Sequence, residues 1–176
     1  MNQPATLVPE HTAVTVRRAE VHDAAAVHTM LVELAEHENT AYAVHATMQD
    51  WQQMLANPAV VVLVAFAGAE PVGYVSGVRT LNLWVGGDSF ALDDLYVRAS
   101  ARDRGVGGQL MAALAAHVTD DQLLITWGVR EDNDAGHRFY RRLGATLRTK
   151  VVAAWRPTDY THYLATRPAD TTNPGT

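Results

Sequence analysis

The chain has 176 residues, 48% of them hydrophobic, and a formal net charge of −5 at neutral pH. This length and apolar content predict one well-buried domain, and the negative charge disfavours a general nucleic-acid or anionic-membrane binder while suiting a cationic ligand. The chain contains no cysteine, which excludes disulfides, thiolate metal sites and a cysteine nucleophile.

Both ends of the chain are polar and contain proline. We therefore expect flexible tails at 1–12 and 167–176 around a single domain at 13–166. No apolar run approaches membrane-spanning length, and the N-terminus lacks the charged and apolar regions of a signal peptide. These features predict a cytoplasmic protein without a membrane partner.

The first third of the chain predicts a strand followed by two helices. The strand is expected at Ala13–Arg18, and the first helix at His22–Glu38, where apolar side chains recur at helical spacing. A second helix is predicted at Thr47–Ala56, with Thr47 as its N-cap and Asp50 closing a capping box.

The middle of the chain predicts three strands and a helix. Val60–Phe66 is a continuous apolar run typical of a strand buried on both faces, and Val72–Arg79 follows after a turn. A hairpin-like connection at Thr80–Ser89 leads to the strand Phe90–Val97, and an apolar helix begins near Val106.

The last third predicts a buried strand at Leu123–Val129, then a helix from the Asn133 region to about Leu143 that Gly144 ends. Two final strands are expected at Ala145–Trp155 and Thr161–Ala165. Strands and helices in this order predict a mixed sheet with helices on both of its faces.

The loop between Val97 and Val106 has the composition of a phosphate-binding loop at a helix N-terminus. Unpaired amides and the helix dipole favour an anion there, glycines allow a close approach, and arginines add fork-shaped donors. A Walker loop requires Lys and then Ser or Thr after its last glycine, but Gln109 and Leu110 follow Gly108. The GxGxxG register of dinucleotide-binding loops is also absent.

Two motifs in this chain resemble those of the GNAT superfamily of N-acetyltransferases. Residues 102–107 match its Arg-x-x-Gly-x-Gly loop, and residues 133–145, NDAGHRFYRRLGA, match its Asn-x-x-small-x-x-Phe-Tyr-x-x-x-Gly pattern. The resemblance extends from about Val14 to Ala165. It implies an α/β (α+β) fold, with a mixed, mostly antiparallel sheet of six to seven strands and helices on both faces.

The resemblance implies that the chain binds acetyl-CoA. Backbone groups of one strand would pair with the pantetheine arm, the arginine–glycine loop would hold the pyrophosphate, and the second motif would also contact the cofactor. The residues carried over in this way are Leu95, Tyr96, Val97, Arg102, Asp103, Arg104, Gly105, Val106, Gly107, Gly108, Asn133, Gly136 and Phe139.

Acetyl transfer to an amine requires a base for the amine and an acid for the leaving thiolate. Tyr140 lies at the position where family members place the acid. For the base, strand alternation puts Asp93 on the same side as Leu95 and Val97 unless a β-bulge intervenes. We therefore assign Asp93 as the base, acting through a water, and give Asp94 a structural or amine-binding role.

The helix His28–Glu38 resembles that of the diamine and spermidine/spermine-type acetyltransferases, which also have a tryptophan before an acidic strand pair. Those enzymes usually have Glu-Asp where this chain has Asp-Asp, so the base here is one methylene shorter. The resemblance implies an acidic, aromatic pocket for a cationic amine; the alternative is ordinary surface charge and a core tryptophan. The candidate pocket residues are Glu33, His37, Glu38, Tyr42, Trp84 and Asp94.

The predicted function is acetyl transfer from acetyl-CoA to a primary amine of a small metabolite such as a polyamine, diamine or diamino acid. The alternatives are an aminoglycoside-type antibiotic-modifying enzyme, a protein N-acetyltransferase, and a CoA-binding module without catalysis. No histidine pair has metal-ligand spacing, so we predict no metal site. The negative net charge predicts no nucleic-acid partner. The resemblance also implies a homodimer.

Overall fold

The computed structural model describes residues 13–167. The chain divides into two compact units, 1–129 and 130–176, and each is described by itself below. The tails predicted at 1–12 and 167–176 lie outside the described residues except for Arg167, and the single domain at 13–166 stays a prediction. Within residues 13–167, no helix is long and apolar enough to cross a membrane.

The first unit is built on a mixed, mostly antiparallel sheet, as predicted. Its strands pair in chain order; the first four are antiparallel, and the last two run parallel to each other. The strands are β1 (Val14–Arg18), β2 (Val60–Ala67), β3 (Glu70–Asn82), β4 (Gly87–Val97) and β5 (Ile125–Thr126).

Three helices of the first unit follow the sequence patterns closely. A single 3₁₀ turn at Val21–Asp23 precedes α1 (Ala24–His37), and the other two helices are α2 (Met48–Ala56) and α3 (Val106–Val118). The predicted capping box of α2 is confirmed, because the Asp50 amide donates to Thr47 Oγ1 (3.2 Å) and the Thr47 amide donates to Asp50 Oδ2 (2.7 Å).

Helices cover both faces of the sheet, as predicted. Alternate strand residues such as Val62, Val64 and Tyr74 share one core cluster with side chains of α1 and α2. The intervening residues of β2 are buried as well, and α3 packs against the sheet with a buried stripe of its own. Because β2 is covered on both faces, its residues from Val61 to Ala65 are all buried.

Strands β3 and β4 form a longer hairpin than the sequence suggested. Pairing continues from Leu81↔Asp88 to Asn82↔Gly87, so the connection shrinks to residues 83–86. The Asn82 carbonyl oxygen accepts from the Gly86 amide at 3.0 Å, and this bond closes the turn.

The prediction of a buried strand at Leu123–Val129 is wrong in length and burial. Only Ile125 and Thr126 pair with β4, and residues 123–130 alternate between half-buried and exposed. The physical reason is that β5 has a pairing partner on one side only among the described strands, so it forms an edge.

The second unit contains two helices, α4 (Asp134–Arg142) and α5 (Pro157–Thr166), and no strand within residues 130–167. The end of α4 is as predicted, since Gly144 follows it with φ +86°. The two predicted final strands are wrong. Residues 145–156 have no regular structure, and the residues of the second predicted strand, Thr161–Ala165, belong to α5. The sheet of the described residues therefore has five strands rather than the predicted six to seven.

Local helix signals explain the second of these errors. Pro157 begins α5, where its missing N–H costs nothing, and Asp159 lies in the first turn, where a carboxylate complements the helix dipole. Trp155 precedes the N-cap and packs edge-on against Tyr160, with ring centroids 5.9 Å apart. This contact has the positions of a hydrophobic staple, which fixes the start of a helix.

Candidate functional site

The loop between β4 and α3 presents backbone amides at a helix N-terminus, as predicted. Gly105 is the N-cap, with φ +77°, a left-handed conformation that favours glycine. The Gln109 amide donates to the Gly105 carbonyl oxygen at 3.0 Å. The amides of Val106, Gly107 and Gly108 precede this bond, so helix geometry gives them no partner within α3.

The side chains around this loop leave room for an anion. A Cβ added to Gly108 would meet no atom within 4 Å, and Arg104 is exposed. Arg102 is partly engaged, because its Nε donates to the Val97 carbonyl oxygen at 3.0 Å. Amides, dipole, glycine and arginine charge together fit a phosphate group.

One edge of β4 is open to an extended ligand. Leu95, Tyr96 and Val97 pair with β3 on one side. On the other side β5 pairs only with Phe90 and Ala91, so the edge near Val97 faces no strand among the described residues. Backbone groups on such an edge can pair with a linear amide chain.

A β-bulge separates the two adjacent aspartates. Leu92 pairs with Gly77 and Asp94 pairs with Ser76, so Asp93 is an extra residue without an opposite partner. Gly77 and Ser76 point to opposite faces, and the bulge therefore puts Leu92 and Asp94 on opposite faces as well. The prediction that Asp93 lies on the side of Leu95 and Val97 assumed strict alternation along β4. The bulge interrupts this alternation at Asp93. The role of Asp93 as the base stays a prediction.

Asp94 is half-buried beside two hydroxyl groups. Tyr74 Oη donates to Asp94 Oδ2 at 3.2 Å, and Ser76 Oγ donates to the same oxygen at 3.4 Å. Burial raises the pKa of Asp94, the charges of Asp93 and Glu38 raise it further, and the two hydroxyls partly oppose this. The Asp93 side chain is exposed, although partial loss of water also raises its pKa. Asp93, Asp94 and Glu38 thus create a local negative potential.

Glu33 is already paired, in contrast to the expected open pocket. Arg98 contacts both of its oxygens, at 2.8 and 2.9 Å, and Tyr96 Oη donates to Oε2 at 3.2 Å. Arg98 also binds Glu70 at 2.6 Å. The Glu33 charge is therefore largely neutralised by the protein itself, and its contact with a substrate stays a prediction.

The remaining pocket candidates of the first unit are exposed. His37 and Glu38 lie at the end of α1, and Tyr42 follows in a short 3₁₀ turn at 82% exposure. Trp84 lies in the turn of the β3–β4 hairpin and is 99% exposed, so it is not a core tryptophan. Between Asp94 and Gly87 the strand covers roughly 20 Å, so the structure does not bring Trp84 to the aspartates.

The second unit contains the residues of the Asn133 motif. Asn133 caps α4, with its Oδ1 accepting from the Gly136 amide at 2.8 Å, and a Cβ on Gly136 would collide with that side chain. Phe139 and Tyr140 are half-buried neighbours, and their ring centroids are 5.2 Å apart. Burial raises the pKa of Tyr140, so its hydroxyl stays protonated at neutral pH and can donate a proton.

Sequence reasoning missed the polar partners of the site. Tyr74, Ser76 and Arg98 carry no motif, and their contacts cross strands or join elements far apart in the chain. Tyr74 and Ser76 are an alternating pair of hydroxyl residues in the buried segment 72–77 of β3, and this pair is the signal that could have indicated a buried polar partner.

The fold and the site define a class of protein: a mixed sheet with a loop of arginines and glycines between β4 and the N-terminus of α3. The sequence profile described as the acetyltransferase (GNAT) family matches residues 26–145. The chain belongs to this family.

The individual proteins that resemble this chain have low sequence identity to it. A thialysine N-epsilon-acetyltransferase of Caenorhabditis elegans is 31% identical over 106 residues, and the match covers 60% of this chain and 66% of that protein. An aminoglycoside acetyltransferase from an uncultured soil metagenomic sample, solved with trehalose, gives a TM-score of 0.71 at 17% identity over 81% of this chain and 95% of its own.

A second solved structure is an aminoglycoside N-acetyltransferase, AAC(6′)-Iy, in complex with CoA. Its TM-score is 0.70 at 17% identity, covering 86% of this chain and 99% of its own. At these identities the two structures establish a shared fold.

Proposed function

We propose that the protein is an acetyl-CoA-dependent N-acetyltransferase that transfers acetyl directly to a primary amine of a small cationic metabolite. The substrate class is a polyamine, a diamine or a diamino acid. Family membership supports the reaction type, and the distant relative named for acetylating the ε-nitrogen of thialysine supports a small amine as acceptor.

The observation that carries the proposal is the negative potential around Asp94. This half-buried carboxylate lies near the charges of Asp93 and Glu38, on the same strand that leads into the arginine–glycine loop. A cationic amine gains from such a field, whereas an anionic acceptor would be repelled. The amides at the N-terminus of α3 and the open position at Gly108 fit the phosphates of acetyl-CoA. The edge of β4 that has no strand partner among the described residues fits its linear arm.

The chain's residues would divide the proton transfers among them. When bound, acetyl-CoA supplies an acetyl group activated as a thioester. The arriving ammonium must lose a proton, and Asp93, acting through a water, or Asp94 would accept it at a carboxylate oxygen. Tyr140 Oη, which stays protonated at neutral pH, would donate the proton that the leaving sulfur takes up.

Aminoglycosides are the second candidate substrates, because they are also polycationic amines that the same carboxylates would attract. A protein N-terminus or lysine and a CoA-binding role without catalysis are further alternatives. Homodimer formation and a cytoplasmic location stay predictions.

The test is CoA release from acetyl-CoA over a panel of diamines, polyamines, diamino acids, aminoglycosides and an N-terminal peptide. We expect turnover on small diamines or diamino acids. Tyr140→Phe should lower kcat by about 100-fold while keeping CoA binding, and Asp93→Asn and Asp94→Asn should identify the base. Turnover confined to aminoglycosides or peptide would refute the small-amine substrate, and no turnover with retained CoA binding would favour the binding module.

A further inference from the structure

Three polar side chains form a compact group in the sheet face covered by α1 and α2. Tyr74 is fully buried, Ser76 is 4% exposed, and Asp94 is half-buried. Tyr74 belongs to the same core cluster as Val27, Met30 and Trp51, so its hydroxyl enters an otherwise apolar region. Burying such groups is unfavourable unless they bond to one another, which these three do.

The register of the strands explains how the group forms. Ser76 lies directly opposite Asp94, and Tyr74, two residues earlier in β3, lies opposite Tyr96. Direct and diagonal neighbours on one face are within reach of each other's side chains. Without the bulge at Asp93, the alternation of β4 would put Asp94 on the other face, away from both hydroxyls.

The two hydroxyls bind the same carboxylate oxygen. Both donate to Oδ2 of Asp94, at 3.2 and 3.4 Å, while Oδ1 has no hydrogen-bond partner among the described residues. Burial and the Asp94 charge raise the pKa of Tyr74, so its hydroxyl is a donor throughout the neutral range. Two donors on one oxygen fix the rotation of the carboxylate and leave the other oxygen available.

We propose that Tyr74 and Ser76 are positioning residues that hold Asp94 through Oδ2, so that Oδ1 is presented to the amine substrate. This inference rests on the proposed function, since it concerns the same amine-binding carboxylate. It makes β3 the element that orients the substrate contact of β4. The charged or titratable groups that act on Asp94 are Asp93 on β4, Glu38 after α1 and Tyr74 itself.

The test compares Tyr74→Phe and Ser76→Ala, with 1,4-diaminobutane as the probe. Tyr74→Phe should raise the KM for the amine by about tenfold, the value of one hydrogen bond to a charged group, and leave the KM for acetyl-CoA unchanged. The acid limb of kcat/KM should move to higher pH, because the Tyr74 bond lowers the pKa of Asp94. Ser76→Ala should act in the same direction but less.

Ser89→Ala is the matched control. Ser89 is also a buried serine of this sheet, but its Oγ contacts Thr80 rather than Asp94. It should leave the amine KM and the pH profile as in the wild type. Calorimetric titration of 1,4-diaminobutane into each folded variant gives a readout that does not need turnover, and we expect binding to weaken in the same order.

A folded Tyr74→Phe or Ser76→Ala variant with wild-type diamine binding and an unmoved acid limb would overturn the inference while leaving acetyl transfer intact. If the wild type acetylates no amine, the proposed function fails, and the calorimetry then decides the inference. The inference would be refuted if the wild type did not bind the diamine, or if the wild type and Tyr74→Phe bound it equally.

Discussion

Gly108 is a position where a side chain could be added without contacting the rest of the protein. Its added Cβ would meet nothing within 4 Å, and it lies in the first turn of α3, where alanine is the better helix former. Gly108→Ala should therefore keep the free energy of unfolding or raise it by up to about 1 kcal/mol. CoA affinity should fall by about tenfold, because the methyl group obstructs a phosphate approaching the amides.

Calorimetric CoA titration and urea unfolding would check both halves of this prediction. Gly87→Ala is the control, since a Cβ there also meets nothing and the residue lies in the hairpin rather than the loop. If Gly108→Ala bound CoA as strongly as the wild type, the prediction that a phosphate of CoA lies at this helix N-terminus would be refuted.

Asp23 is a buried carboxylate whose charge contributes to stability. Arg17 contacts both of its oxygens, at 2.6 and 2.9 Å, and the Glu20 amide donates to Oδ2 at 2.8 Å. The hydrogen bonds from Arg17 are the largest cause that lowers the pKa of Asp23 below its ordinary value of 3.8. The contribution is therefore complete above pH 3.8 and is lost as the pH falls through the lowered value.

Asp23→Asn should cost about 1–3 kcal/mol at pH 7, because it weakens the contacts with Arg17 and leaves part of its hydrogen bonding unmet. The difference between variant and wild type should shrink as the pH falls below 3.8. Urea unfolding at a series of pH values measures it. A difference that stays constant down to the lowest pH would contradict the assignment.

At the scale of elements, β3 and β4 approach each other closely at Gly77, beside the bulge. A Cβ on Gly77 would lie 2.5 Å from Phe90 Cε1 and would also collide with the Ala91 carbonyl oxygen. Gly77→Ala must therefore push the two strands apart where Ser76 meets Asp94. We expect a loss of about 2–3 kcal/mol in unfolding free energy and a higher KM for the amine.

Thermal and urea unfolding test the first expectation, and steady-state kinetics test the second. Gly87→Ala, in the same hairpin but without a close neighbour, should change neither. A Gly77→Ala variant as stable as the wild type would show that the strands can separate at little cost.

Glu33 and Arg98 join α1 to the end of β4. Their side chains are 32% and 21% exposed, and the contact uses both carboxylate oxygens. A double-mutant cycle with Glu33→Gln and Arg98→Gln should give a coupling energy of about 1–2 kcal/mol. A coupling energy close to zero in unfolding would contradict a stabilising role for this ion pair. If Glu33 also binds the amine, Glu33→Gln should raise the amine KM more than Arg98→Gln does.

At the scale of the molecule, sequence patterns predicted the features that depend on neighbours in the chain. The apolar run of β2, the stripe of α1 and the capping box at Thr47 are local, and each formed where expected. The exposed edge at β5 depends on which strands pair, and periodicity cannot show that. The strand predicted at Thr161–Ala165 failed because the signals at Pro157 and Trp155 outweighed β-propensity.

The same distinction applies to the site. The arginine–glycine loop is a short contiguous motif, so the sequence located it. Asp94 depends instead on Tyr74, 20 residues away, and Arg98 contacts Glu33 across 65 residues. The spacing of Glu33 and Arg98 carries no signal, and the alternation of Tyr74 and Ser76 indicates a buried polar partner without saying which residue it is. The bulge at Asp93 also shifted the alternation from which the base was assigned.

The charge of the whole chain should affect how amines reach the protein. With a net charge of −5, the molecule attracts cations over several ångströms, and salt screens this attraction. We therefore expect kcat/KM for 1,4-diaminobutane, a dication, to fall several-fold between about 0.02 M and about 0.3 M NaCl. For n-butylamine, a monocation of the same length, the fall should be smaller, and kcat should change little for either. Equal salt dependence for the two amines would mean that the second charge of the diamine gains nothing from the carboxylates around Asp94.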